Sequence, residues 1–129
     1  MNKVQEAFLR KCLKPAVESD LPGRLRISFS KYSLLPKEAA PYLHYVREAL
    51  EMLPGVLSAE VNPRIGTALI RYDAKQTTAQ GILRWIDLVV DEGVCIFREV
   101  AWQGASEEEL ANLARNRLKL RLPKTRVQD

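Results

Sequence analysis

The chain is short of the residues that most often hold soft metals or attack substrates. It has one histidine, His44, and two cysteines, Cys12 and Cys95, in 129 residues. Two cysteines so far apart form no disulfide framework, and their plain reading is a pair of reduced thiols in a cytosolic protein. Aromatic residues are only 7% of the chain, and Tyr42, Tyr45, Trp85 and Trp102 are scattered, which suits core filling better than base stacking. No apolar run reaches the roughly 18 residues that a bilayer-spanning helix needs. Residues Met1 to Lys14 interrupt their apolar positions with Glu6, Arg10 and Lys11, unlike a secretory signal. A phosphate-cradling glycine loop, a nucleophile–base pair and a recognisable pair of catalytic carboxylates are also lacking, which argues against an enzyme.

What is present is the composition of a folded domain, 47% hydrophobic and 28% charged. The length fits one domain with extra terminal segments, large enough to bury a core without a disulfide or metal staple. The formal net charge is +4, which invites an anionic partner, and the basic residues crowd toward the C-terminus.

Along the chain, Val4, Ala7, Phe8 and Cys12 recur at helical spacing, so residues 2–13 read as a short amphipathic helix. Pro15 and Asp20-Leu21-Pro22-Gly23 read as a connector. Leu25, Ile27 and Phe29 then alternate with Arg24, Arg26 and Ser28, predicting a strand over 24–30 with one buried face. Residues 31–36 read as a loop. Ala39, Leu43, Val46, Leu50 and Leu53 predict a helix over 37–53, with His44, Arg47, Glu48 and Glu51 on its polar side.

Two more strands follow, over 56–61 (Leu57, Ala59 and Val61 on one face) and 67–72, joined by the turn Asn62-Pro63-Arg64-Ile65-Gly66. Ile82, Trp85, Ile86 and Val89 mark a second core helix, capped by Thr77 or Thr78 and stopped at Asp91-Glu92-Gly93. Residues 94–102, rich in β-branched and aromatic side chains, read as a fourth strand. Strand, helix, strand, strand, helix, strand predicts an α+β fold: a ferredoxin-like βαββαβ sandwich, an antiparallel sheet with both helices on one face. Ser106 caps a last helix opened by Glu107-Glu108-Glu109 and closed by a basic tail with Arg115, Arg117, Lys119, Arg121, Lys124 and Arg126. The expected division is 1–21 for the N-terminal helix and linker, 22–103 for the core domain, and 104–129 for the C-terminal helix and tail.

The wording of the core carries a resemblance. Pro22-Gly23-Arg24-Leu25-Arg26-Ile27, Leu53-Pro54-Gly55-Val56, Ala59-Glu60-Val61-Asn62-Pro63 and Gly66-Thr67-Ala68-Leu69-Ile70-Arg71-Tyr72-Asp73 come in order, followed by the helix from Thr78 to Ile86. Over about residues 22–100 the chain resembles the heavy-metal-associated (HMA-like) domain family. Its divergent branch occurs at the N-termini of P-type metal-transporting ATPases and as small stand-alone proteins. Metal-carrying members hold a CxxC pair in the loop after the first strand, whose thiolates grip a soft ion. Here that loop is Ser30-Lys31-Tyr32-Ser33-Leu34-Leu35-Pro36, without a cysteine, histidine or acid. The resemblance therefore implies the fold without the metal-carrying site, and fold alone does not carry function.

The leading expectation is a non-catalytic accessory or adaptor of a metal transport or storage system, iron among the metals considered. It would act by protein–protein docking, with a P-type metal-transporting ATPase as one possible partner, and be cytoplasmic with membrane association left open. No cofactor is expected. A second reading is metal or haem binding at an unconventional site, for which His44, Glu48, Cys12 and Cys95 are the weak candidates, with self-assembly into a homo-oligomer able to complete it. A third is attachment of the basic C-terminal helix to an anionic membrane or to nucleic acid, though the first strand offers arginines and no aromatics for RNA readout. The candidate partner-binding residues are Arg24 and Arg26 on the uncovered sheet face, where Glu60 is their expected neighbour, and Arg115, Arg117, Lys119 and Arg121 on the last helix.

Overall fold

A computed structural model of the chain describes residues 3–29, 31, 45–62, 64–99 and 106–122. Its elements are, in order, α1 (Lys3–Cys12), β1 (Ala16–Leu21), β2 (Arg24–Ser28), α2 (Val46–Glu51), β3 (Val56–Asn62), β4 (Thr67–Tyr72), α3 (Ala79–Glu99) and α4 (Glu107–Arg121). The four strands make one antiparallel sheet in the order β1-β2-β4-β3. The chain is thus α+β, with helices gathered on one face of the sheet.

The alternation read in the sequence builds that face. Leu25 and Ile27 from β2, Ala59 from β3, and Ala68, Ile70 and Tyr72 from β4 point inward together. They meet Ala49 and Leu50 of α2 and Leu53 just beyond it, Ile82, Trp85 and Ile86 of α3, and Leu118 of α4. Trp85 is fixed by its indole N–H, which donates to the carbonyl of Ala49 at 2.8 Å inside the core. The opposite face of the sheet carries Arg24, Arg26, Arg71 and Glu60, all exposed.

Three expectations are corrected. The connector before the first expected strand is itself a strand: Ala16–Leu21 pairs antiparallel with Arg24–Ser28. Pro22-Gly23 is the hairpin turn between them, with Gly23 at φ +79°, where Pro pre-sets the first turn position and glycine accepts the left-handed second. The fourth strand expected over 94–102 is not one over its described part. Residues 94–99 continue α3 without a break, and 100–102 lie outside the described residues. Ile96 follows Trp85 and Val89 at helical intervals and is buried, so packing along that stripe overrides the strand preference of Val94 and Ile96. Gly93 does not stop the helix: its φ is not positive and α3 runs through it to Glu99.

The third correction is Leu57. A bulge between Val56 and Ser58 in the β3–β4 pairing throws Leu57 outward, and it is 70% exposed rather than core. The strand over 24–30 is found as Arg24–Ser28. Of the helix expected over 37–53, Val46–Glu51 is described, while its first part lies outside the described residues.

Candidate functional site

The open face of the sheet is built by β2 and β4, its two central strands. Arg24 on β2 stands directly opposite Arg71 on β4, and Arg26 opposite Leu69. Arg24 and Arg26 are two residues apart on one strand, so their Cα atoms are about 7 Å apart on the same face. Directly opposed residues bring their Cβ atoms to within about 4.5–5.5 Å. Three guanidiniums therefore rise from one small triangle. Among the described residues none of the three has a hydrogen bond or ion pair.

Glu60, the expected partner of Arg24 and Arg26, pairs in register with Leu69 instead. That places it one strand beyond β4, about 10 Å from β2 across two strand spacings. The triangle is rimmed by Ser58 opposite Arg71, and by Ser19 and Leu21 of β1 opposite Arg26 and Arg24. Arg71 escaped notice in the sequence because β2 and β4 are adjacent only through the sheet order, which no local pattern prints.

The C-terminal arginines are placed differently. Arg115 donates two hydrogen bonds to the Glu48 carboxylate, the one from its terminal nitrogen at 3.0 Å, and a third to Asn112. It also lies 5.9 Å over the ring of Tyr45. Those bonds hold the Glu48 carboxyl below the usual carboxylate range, against a smaller upward push from burial. Arg121 reaches Glu92 at 3.3 Å and Asp91 at 3.5 Å, and Arg117 lies 3.7 Å from Glu92. Asp91 also takes Arg10 of α1 at 2.8 Å. Three of the four expected docking residues on α4 are thus clasps to α2 and α3, and Lys119 stays exposed.

Compared with protein-family models, with curated proteins and with solved structures, the chain matches none.

Among the described residues the metal candidates form no group of three. Glu48 is occupied by Arg115. Cys12 is wholly buried in α1, where desolvation pushes its thiol pKa up, with Lys31 pulling weakly the other way. Cys95 is half-buried in α3, and His44 lies outside the described residues. Among the described residues no three His, Cys, Asp or Glu side chains converge as a metal site requires. A cavity of about 220 Å³ opens between the helices and one end of the sheet. Its wall is mostly aliphatic, with Leu9, Val61, Val89 and Leu110 among its residues, and the acid in it, Glu92, is held by Arg117 and Arg121. Among the described residues no helix is long and apolar enough to cross a membrane.

Proposed function

We propose that this chain is a non-catalytic adaptor that docks onto another protein through the open face of its sheet. The observation that carries the reading is the triangle of Arg24, Arg26 and Arg71, exposed on central strands and without a carboxylate partner among the described residues. Central strands are stiff, so the three charges are presented in a fixed arrangement, and arginine is enriched at protein interfaces. The basic C-terminal helix supports the anionic-surface reading less than its composition suggests, because Arg115, Arg117 and Arg121 already hold carboxylates of this chain.

The ferredoxin-like relationship belongs to the same proposal. The elements β2, α2, β3, β4 and α3 follow the order of a split βαβ unit, and β1 pairs antiparallel with β2 at the edge where that arrangement places its last strand. On the HMA-like resemblance, the partner is a component of a metal transport or storage system, such as a P-type metal-transporting ATPase. The test is site-specific photo-cross-linking in cells, with the reactive group at Ser58 on the open face and, separately, at Lys119 on α4. A discrete protein adduct from Ser58 is expected, and a transporter or its accessory among the products supports the metal-system reading. Adducts from Lys119 alone, or only lipid and nucleic-acid products, would falsify docking by the sheet face.

A further inference from the structure

We infer that the occupant of the open sheet face is an acidic protein segment, two or three of whose carboxylates meet Arg24, Arg26 and Arg71 together. This rests on the docking reading above and names the chemistry of the partner.

The first argument is contrast within the chain. Arg10, Arg47, Arg115, Arg117 and Arg121, all borne by helices, each have a carboxylate of this chain within ion-pair distance. The three arginines of the sheet face have none among the described residues. Among the described residues the molecule neutralises those five helical arginines, leaves Arg84 of α3 standing alone and exposed, and leaves only these three open side by side. Like charges directly opposite each other in a sheet are destabilising, and Arg24 faces Arg71 in that way on the two central strands. An anion seated over the pair removes that repulsion, so the site is more complementary to a bound carboxylate than to water.

The second argument selects among anions. Among the described residues the face has no aromatic side chain on its outward positions: β2 offers Arg24, Arg26 and Ser28, β4 offers Thr67, Leu69 and Arg71, and Tyr72 turns into the core. Single-stranded nucleic acid needs aromatic platforms beside its basic track. What lies beside these arginines instead is leucine and hydroxyl, with one acid at the rim: Leu21, half-exposed, opposite Arg24; Leu69 next to Arg26; Ser19, Ser58 and Thr67 around them; and Glu60 on β3 beyond Leu69, not in ion-pair contact with any of the three. Leucine beside arginine suits a peptide with acidic and aliphatic residues in turn. The face is about 14 Å wide and about 17 Å long from strand spacing and rise, which makes a small interface, and small interfaces are transient.

The experiment uses the full chain and fluorescence anisotropy with three probes of equal length: a Glu–Leu peptide, a Lys–Leu peptide and an oligouridylate. The variants are the double substitution Arg24→Gln with Arg71→Gln, and Arg84→Gln, an exposed arginine of α3 away from the face. The Glu–Leu peptide is expected to bind, with a Kd that rises about tenfold in the double variant and with added salt. Arg84→Gln should leave it unchanged, and the double variant should melt no lower than the parent chain because a repulsion has been removed. Absence of peptide binding, or equal binding by the double variant, overturns the inference. Tighter binding of oligouridylate, lost with the same arginines, overturns it in favour of a phosphate-bearing partner. A cross-linked protein partner at Ser58 that is retained by the double variant keeps the docking reading and overturns the acidic assignment. Peptide binding through the arginines without any cellular adduct at Ser58 supports the acidic chemistry and counts against docking.

Discussion

A methyl group added at Gly55 would stand 2.9 Å from Cβ of Gln76 and Cγ2 of Thr77, on a backbone whose φ is +97°. Gly55 also accepts a hydrogen bond from the Asp73 N–H at 2.7 Å, so the turn cannot easily open to make room. Gly55→Ala should cost about 1–3 kcal/mol in a urea denaturation. Gly93 is the opposite case: it sits inside α3 with open space around the missing Cβ. Gly93→Ala should stabilise the chain by about 0.5–1 kcal/mol, as alanine does in a helix interior, and destabilisation by that substitution would contradict an unbroken α3. The sequence presents the two glycines alike, each after a polar or proline residue at the end of an apolar stretch. Only the φ and the neighbours of each tell a turn from a helix interior. At the site, Arg24 and Arg26 are legible because alternation along one strand is local. The release of Glu60 from them is not, since it depends on cross-strand register.

The C-terminal helix α4 looks like an appendage by composition and is part of the core by packing. Its N-terminus is closed by a capping box between Ser106 and Glu109. Leu118 is 4% exposed and belongs to the central cluster, whereas Leu120, two residues on, is 87% exposed. Leu118→Ala should therefore cost about 2–4 kcal/mol in the main unfolding transition, while Leu120→Ala should change it by less than about 0.5 kcal/mol. A Leu118→Ala protein as stable as its parent would mean that α4 is not seated on the core. The sequence signals the cap and the helix, because both are short-range. It does not signal the clasps, for Glu48 precedes Arg115 by 67 positions and Glu92 precedes Arg121 by 29. Strand β1 is hidden in the sequence for a related reason. Five of its six residues are exposed, so it lacks the buried alternation that betrayed β2 and β4, and only the Pro22-Gly23 turn marks it.

For the molecule as a whole, arginine plays two parts, in clasps that hold α1 and α4 to the rest and in the open triangle on the sheet. The clasps predict an acid limb of stability. In the folded chain Glu48 titrates below its ordinary value because Arg115 donates hydrogen bonds to its carboxylate. A depressed folded pKa means that the unfolded chain binds the proton more tightly. The contribution is therefore fully present above the ordinary glutamate pKa, about 4.3, and is lost as pH falls through the folded value. Both side chains are partly open to water, at 36% for Arg115 and 45% for Glu48, which keeps the effect small. Glu48→Gln should lower Tm by about 1–3 °C at pH 7 and should flatten the fall in Tm between pH 5 and 3, with the two proteins converging at the acid end. Parallel melting curves with a constant offset across that range would mean that the Arg115 clasp contributes packing alone. Loss of the pH 7 offset in high salt would assign it to charge, because screening weakens a partly exposed pair and leaves the burial of Leu118 untouched.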